Sequence, residues 1–141
     1  MNEMEAHFRA LAFGAIYMST RAKVALDKAQ VLTEATLAAA EKLTVKQADL
    51  AAILGVSSST VSRLAAGKMT LEGDRPVVDS AATFVLVYRS LASILGSNLE
   101  HMKAWLTTYN TDLASVPLKL MLRPSGLHQV RGYLDAYRGR C

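Results

Sequence analysis

The chain has 141 residues, of which 51% are hydrophobic and 20% are charged, so it can bury a core and is too apolar to be disordered. The only cysteine, Cys141, excludes an intrachain disulfide scaffold, and His7, His101 and His128 stand too far apart for a zinc finger. The net charge of +4 lies in residues 116–141, where five Lys or Arg face one acidic residue. Such a tail indicates either an acidic, phosphate-bearing or nucleic-acid partner, or a solvated helix face.

The longest apolar run near the start, residues 11–18, is too short to span a bilayer. Glu3 and Glu5 precede it where a signal peptide would be basic. We therefore expect a soluble, cytoplasmic protein.

Strand signals are weak and Ala and Leu are abundant, which predicts an all-α fold. A first helix is expected over residues 5–19 and a second over residues 24–42. The first carries an apolar stripe that either dimerises the protein or caps its core, made of Phe8, Leu11, Ala12, Ala15 and Ile16.

Two glycines and Pro76 make residues 67–80 the best boundary between an N-terminal domain (residues 1–70) and a C-terminal domain (residues 80–141). Asp79 or Ser80 is expected to cap a helix over residues 81–95 that is apolar on nearly every side, and so is either buried from several directions or part of an oligomer interface. Its lone charge, Arg89, is expected to be buried against Asp79 or Asp112.

Asn98 is expected to cap a helix over residues 99–107, which contains Trp105, a residue of the core or an interface anchor. A loop with Pro117 and Pro124 follows. Ser125 then caps a last helix that ends at Gly139.

Residues 47–64 have the pattern of a helix-turn-helix. Ala51 is small where the second helix crosses the first, Gly55 occupies the turn, and Ser57 can cap the second helix. Apolar residues that hold two such helices together recur in register at Leu50, Leu54, Val56, Val61 and Leu64.

The second helix of this unit presents short or forked hydrogen-bond donors suited to phosphates and base edges. Residues 41–69 carry only two more basic than acidic side chains, so tight binding would need a dimer with two half-sites. The alternative is a scaffold that does not bind DNA. The candidate DNA-binding residues are Lys46, Gln47, Ser57, Ser58, Ser59, Thr60, Ser62, Arg63 and Lys68.

The C-terminal half contains LVYRSLASILG from Leu86, AWL from Ala104, spaced Asn110, Leu113 and Pro117, and GLHQVRGYLDAYRG from Gly126. Together with the upstream helix-turn-helix, these segments resemble the Xre/MbcA/ParS-type antitoxins, the partners of RES-domain toxins. The resemblance covers residues 25–138. The chain departs from it where the family commonly has Gly-Gly before the proline, because residues 114–116 here are Ala-Ser-Val.

The resemblance implies an N-terminal part that binds operator DNA and represses its own operon, and a C-terminal part that occludes the active site of an NAD-degrading toxin. A homodimer or a larger hetero-oligomer with the toxin is expected. The toxin-binding residues implied are Trp105, Arg131, Tyr133, Asp135, Tyr137, Arg138, Arg140 and Cys141.

Spacing alone leaves two interpretations of the last helix. Leu127, Val130, Leu134 and Tyr137 share an inward face, while Arg131, Asp135 and Arg138 form either a ladder along the helix or a group that, with Arg140 and the terminal carboxylate, enters the pocket of the toxin.

A second interpretation of the whole chain is a freestanding transcriptional regulator with a C-terminal ligand-binding or dimerisation domain. The sequence contains no catalytic constellation, metal set or phosphate loop, so no enzymatic activity and no cofactor are expected.

Overall fold

The computed structural model describes residues 2–140, except for the side chains of residues 8, 13–18 and 26. The described part is mostly helical and contains no strand, which confirms the predicted all-α class. Its seven helices are α1 (Glu3–Lys42), α2 (Gln47–Leu54), α3 (Ser58–Ala65), α4 (Arg75–Ile94), α5 (Leu99–Thr107), α6 (Pro117–Met121) and α7 (Gly126–Arg138).

Helix α1 is continuous over 40 residues, so the prediction of two separate N-terminal helices is wrong. The reason is local: residues 20–23 contain neither Gly nor Pro, and nothing in the backbone stops the helix there. Among the described side chains of α1, burial begins at Ala29, and upstream of it Leu11 and Ala12 of the predicted stripe are exposed. The other stripe side chains, Phe8, Ala15 and Ile16, lie outside the described residues.

A buried threonine on α1 ties this helix to the chain between α3 and α4. The hydroxyl of Thr33 donates to the carbonyl oxygen of Ala29 (2.7 Å) and accepts from the backbone N–H of Leu71 (2.8 Å). Both capacities of the hydroxyl are therefore used where water does not reach. This contact fixes the loop that leads into α4.

Helix α4 begins six residues earlier than predicted, and Asp74 is its cap, accepting from the N–H of Val77 (3.5 Å). Asp79 and Ser80 are therefore inside the helix. Pro76 indicates a helix start here, because a residue of the first turn has no helical partner for its N–H.

Helix α4 is the centre of the bundle and packs against α1, α2, α5 and α7. Its buried side chains include Ala81, Phe84, Val87 and Leu91, each at most 1% exposed. Burial from several directions, one of the two predicted alternatives, is thus what the structure shows. By length and composition alone α4 could also cross a membrane. This is weak evidence for a membrane span, because a helix in the core of a protein meets the same criteria.

The predicted loop around Pro117 contains a short helix, α6, which begins at that proline. Before it, Asn110 and Ser115 exchange two backbone hydrogen bonds (2.9 and 3.3 Å), and the side chain of Asn110 accepts from the N–H of Leu113 (3.1 Å). Ala114 closes this turn at a φ of 51°. The backbone conformation is one that glycine adopts more readily than alanine.

Helix α7 packs on α4 and α6. Ser125 precedes it but makes no side-chain capping hydrogen bond, so that prediction is wrong, because Ser125 has helical rather than extended backbone angles. Gly126 starts the helix at a close approach to α6. A Cβ atom at this position would overlap the carbonyl oxygen of Leu120.

The predicted division into domains of residues 1–70 and 80–141 stays a prediction. The inferred linker is largely helical from Arg75 onward.

Candidate functional sites

Helices α2 and α3 form the predicted helix-turn-helix. Gly55 has a φ of 73°, and the N–H of Val56 donates to the carbonyl oxygen of Ala51 (3.0 Å) across the turn. Of the predicted apolar contacts, Val56 is half-buried and the rest are at most 3% exposed, namely Leu50, Leu54, Val61 and Leu64.

Ser57 has the structural role that its position predicts. Its hydroxyl accepts from the N–H of Thr60 (3.2 Å) and lies within 3.0 Å of the hydroxyls of both Ser59 and Thr60. Arg63 donates from Nη2 to the Thr60 hydroxyl (3.4 Å). Ser57 and Thr60 therefore hold the first turn of α3 and orient Arg63.

The outer face of α3 is left to Ser58, Ser59, Ser62 and Arg63, which are all exposed. Ser62 donates to Oε1 of Gln47 (3.1 Å), so the start of α2 and the middle of α3 present one continuous polar surface.

The two flanking lysines, Lys46 and Lys68, are exposed on either side of the unit. The structure thus gathers every candidate DNA-binding residue on the helix-turn-helix. The arrangement can offer hydroxyl, amide and guanidinium donors to a polyanion.

Helix α7 forms the second candidate site. Leu127, Val130 and Leu134 face the core at most 3% exposed, as predicted. Tyr137, predicted to share this face, is 46% exposed, because the helix end runs past the core.

Three aromatic rings follow one another across α5 and α7. The Trp105 and Tyr133 rings stack with centroids 6.3 Å apart, and Tyr137 follows Tyr133 at 6.5 Å. The Tyr133 hydroxyl donates to the carboxylate of Asp112 (2.9 Å). We refer to Trp105, Tyr133 and Tyr137 as the aromatic ladder.

Two clefts adjoin Trp105, which is only half-buried. One of about 230 Å³ lies beside the whole aromatic ladder and has apolar walls from α4 and α7. The other, of about 350 Å³, is lined by His101 and Tyr109, the latter 61% exposed. An apolar anchor from a binding partner could enter either cleft.

The charged residues of α7 do not form one ladder. Arg131 pairs with Asp135 through Nε and Oδ2 (3.4 Å), as a four-residue spacing predicts. Arg138 instead donates to the buried hydroxyl of Ser90 on α4 (3.3 Å). Arg140 is exposed, and Cys141 lies outside the described residues.

The prediction for Arg89 is wrong, because its side chain is exposed. Asp79 pairs with Arg75 (3.8 Å) and Asp112 accepts from Tyr133, so neither predicted partner serves Arg89. Arg89 lines a groove of about 460 Å³ between α1 and α4. The sequence of an apolar helix does not indicate whether its one charged residue faces the core or the solvent.

Sequence reasoning also missed Asp112, Ser90 and Tyr109 as parts of this surface. Asp112 and Ser90 are recognisable only through contacts 21 and 48 residues away in the chain. Within the described residues, no group of three His, Cys, Asp or Glu side chains is arranged to hold a metal ion.

Two protein-family models match the chain. Residues 22–74 match the antitoxin Xre-like helix-turn-helix domain, and residues 90–140 match the antitoxin Xre/MbcA/ParS C-terminal toxin-binding domain. No curated protein matches the sequence significantly. Together the two matches cover most of the chain, one on each of the two sites described above, and from them we conclude that the chain belongs to the Xre/MbcA/ParS-type antitoxins.

Proposed function

We propose that this protein neutralises a RES-domain toxin that degrades NAD, and that it represses its own operon by binding operator DNA. It would act as a binding protein without catalytic activity, in the cytoplasm, where both NAD and the operon are found. The single observation that carries the proposal is that the last helix of the toxin-binding domain is buried on one face and exposed on the other.

The open part of α7 has two kinds of chemistry. The aromatic ladder offers a half-buried apolar surface beside a cleft, which suits binding to a protein partner. Residues 135–140 are all exposed and include Arg138 and Arg140. This basic end can meet acidic groups of a toxin at the site where NAD would bind.

The occlusion is tested by removing residues 139–141 and measuring NAD consumption by the purified toxin. These residues follow α7, so the deletion leaves the buried Leu134 in place. We expect the shortened protein to bind the toxin through the aromatic ladder but to inhibit it at least ten-fold less well.

Arg123→Ala is the matched control, because Arg123 is equally basic and exposed but precedes α7. It should inhibit like the parent. Full inhibition by the shortened protein would refute occlusion by the tail, and failure of the parent to bind or inhibit any RES toxin would refute the choice of toxin.

For DNA, we propose that α3 enters the major groove with Ser58, Ser59, Ser62 and Arg63 toward the bases. The exposed outer face of α3 supports this orientation. Lys46, Gln47 and Lys68 would contact phosphates.

Arg63→Ala is expected to weaken operator binding by about 1–3 kcal/mol and to relax sequence preference. Lys68→Ala should weaken binding to all sequences alike and reduce its salt dependence. Lys119→Ala, at an exposed position of α6, is the control for lost charge. Gel-shift titrations at several salt concentrations separate these effects, and an Arg63→Ala protein with parental affinity and preference would contradict the orientation.

A further inference from the structure

Helix α1 carries an apolar repeat that continues beyond the body of the protein. Positions spaced alternately by four and three residues run from Met4 to Leu43, and all but Thr36 are apolar. The members from Ala29 onward are buried or half-buried against the bundle. The repeat therefore marks the face of α1 that packs on other helices.

Where the structure describes side chains upstream of Ala29, the same face has no cover. Met4 is 75% exposed and Leu11 is 61% exposed, and Ala22 and Ala25 are exposed as well. Residues 1–21 precede both family matches, so the antitoxin domains do not account for this stretch. An isolated helix that exposes such a stripe to water gains little stability on its own.

We propose that the first part of α1 pairs with the same segment of a second copy of this chain, in antiparallel orientation, over residues 4–22. The interface would be a short two-helix coiled coil with its two-fold axis near residue 13. This inference does not depend on the identity of the toxin or the operator.

The position of α4 limits the length of α1 along which a partner helix can pack. Val85 and Arg89 of α4 line a groove with Val24 and Lys28 of α1, so α4 flanks α1 from about this level onward. A partner helix can therefore lie along residues 4–22 without meeting α4. An overlap of 19 residues is about 28 Å long at 1.5 Å per residue.

The sizes of the side chains favour the antiparallel arrangement. With the axis near residue 13, Met4 of one copy lies level with Ala22 of the other. The sequence gives a second large and small pair at positions 11 and 15, and the third pair, at positions 8 and 18, has two large residues. A parallel pair would instead face every large residue of the repeat with its own copy and each alanine with an alanine, which leaves the helices unevenly spaced.

The charges favour the same orientation. Glu3 and Glu5 begin the helix, and Arg21 and Lys23 follow at the other end of the proposed interface. Antiparallel pairing brings the acidic start of each helix to the level of the partner's basic residues. Parallel pairing would bring like charges together at both ends.

The first test is the mass of the full chain in solution by sedimentation equilibrium. We expect a dimer for the parent, and at least a ten-fold higher dimer dissociation constant for Leu11→Glu. Ala6→Glu adds the same charge to an exposed position on the outer side of the repeat and should leave the dimer intact. A monomeric parent, or equal effects of the two substitutions, would overturn the proposal.

The orientation is tested by disulfide formation between singly substituted chains in a Cys141→Ser background. Met4→Cys mixed with Ala22→Cys should give the mixed disulfide, because these positions lie level. Two copies of position 22 would be about 27 Å apart, beyond the reach of a disulfide. Disulfides within each variant alone, without the mixed product, would show a parallel pair and overturn the antiparallel arrangement.

Discussion

Gly126→Ala is expected to destabilise the protein, because this glycine lets α7 approach α6. An added Cβ would overlap the carbonyl oxygen and carbon of Leu120, which are backbone atoms and cannot rotate away. The two helices must then separate. Inserting a methyl into a close-packed site typically costs about 1–3 kcal/mol, and a backbone obstacle puts this case at the upper end. Leu127, at 3% exposed, would lose part of its packing as α7 moves.

Gly132→Ala makes the same substitution inside the same helix, where no atom beyond the helix's own adjoining backbone and chain neighbours lies within 4 Å of the added atom. Since alanine favours helix over glycine by up to about 1 kcal/mol, this control should be neutral or stabilising. Urea unfolding followed by circular dichroism gives both free energies of unfolding. We expect the Gly126 variant to lose about 3 kcal/mol, roughly a hundred-fold in the folding equilibrium. A Gly126→Ala protein as stable as the parent would refute the close approach of α7 to Leu120.

Three further predictions concern single contacts, each measured by the same unfolding experiment. Ala114→Gly should raise the free energy of unfolding by about 0.5–1 kcal/mol, because it relieves a positive φ; a loss of stability would contradict that conformation. Thr33→Val should lower the free energy of unfolding by about 1–3 kcal/mol, because it leaves the buried N–H of Leu71 without its partner. Thr36→Val should cost less, because the Thr36 hydroxyl donates only within α1, and equal costs would contradict the contact between Thr33 and Leu71. Tyr133→Phe should cost about 0.5–1.5 kcal/mol through its lost hydrogen bond, and no change would show that the bond contributes nothing.

The helix-turn-helix could be predicted from the sequence because its determinants are local. Gly55, Ser57 and the apolar positions act within 18 consecutive residues, and each appears in the structure in the predicted role. The caps by Ser57 and Asn98 were predictable for the same reason, since each accepts from an N–H three residues ahead.

Predicted helix boundaries were wrong at prolines, because a proline can either follow the end of a helix or lie in the first turn of one. Pro76 and Pro117 were interpreted as parts of loops, but each lies in the first turn of a helix. The separation of α1 into two helices likewise assumed a break where the sequence contains no residue that breaks a helix.

Contacts between distant residues could not be predicted from spacing. Arg138 has a carboxylate three residues before it, yet it donates to Ser90 on α4. Which partner a long side chain takes depends on how neighbouring helices cross, and in α7 that depends on the close contact at Gly126. The aromatic ladder is a consequence of the same packing, since α5 and α7 are not adjacent in sequence.

The turn before α6 holds a non-glycine residue in a left-handed conformation. The family commonly has glycines here, and this chain has Ala114 instead. The backbone still adopts the left-handed conformation that glycine favours, because the paired hydrogen bonds of Asn110 with Ser115 and the side-chain contact to Leu113 close the turn around it. An alanine in that conformation costs about 1–2 kcal/mol, less than the loss of several hydrogen bonds and of the packing of Leu113. The strain is therefore retained, and the loop still leads into α6 and α7, the helices that carry the proposed toxin-binding surface.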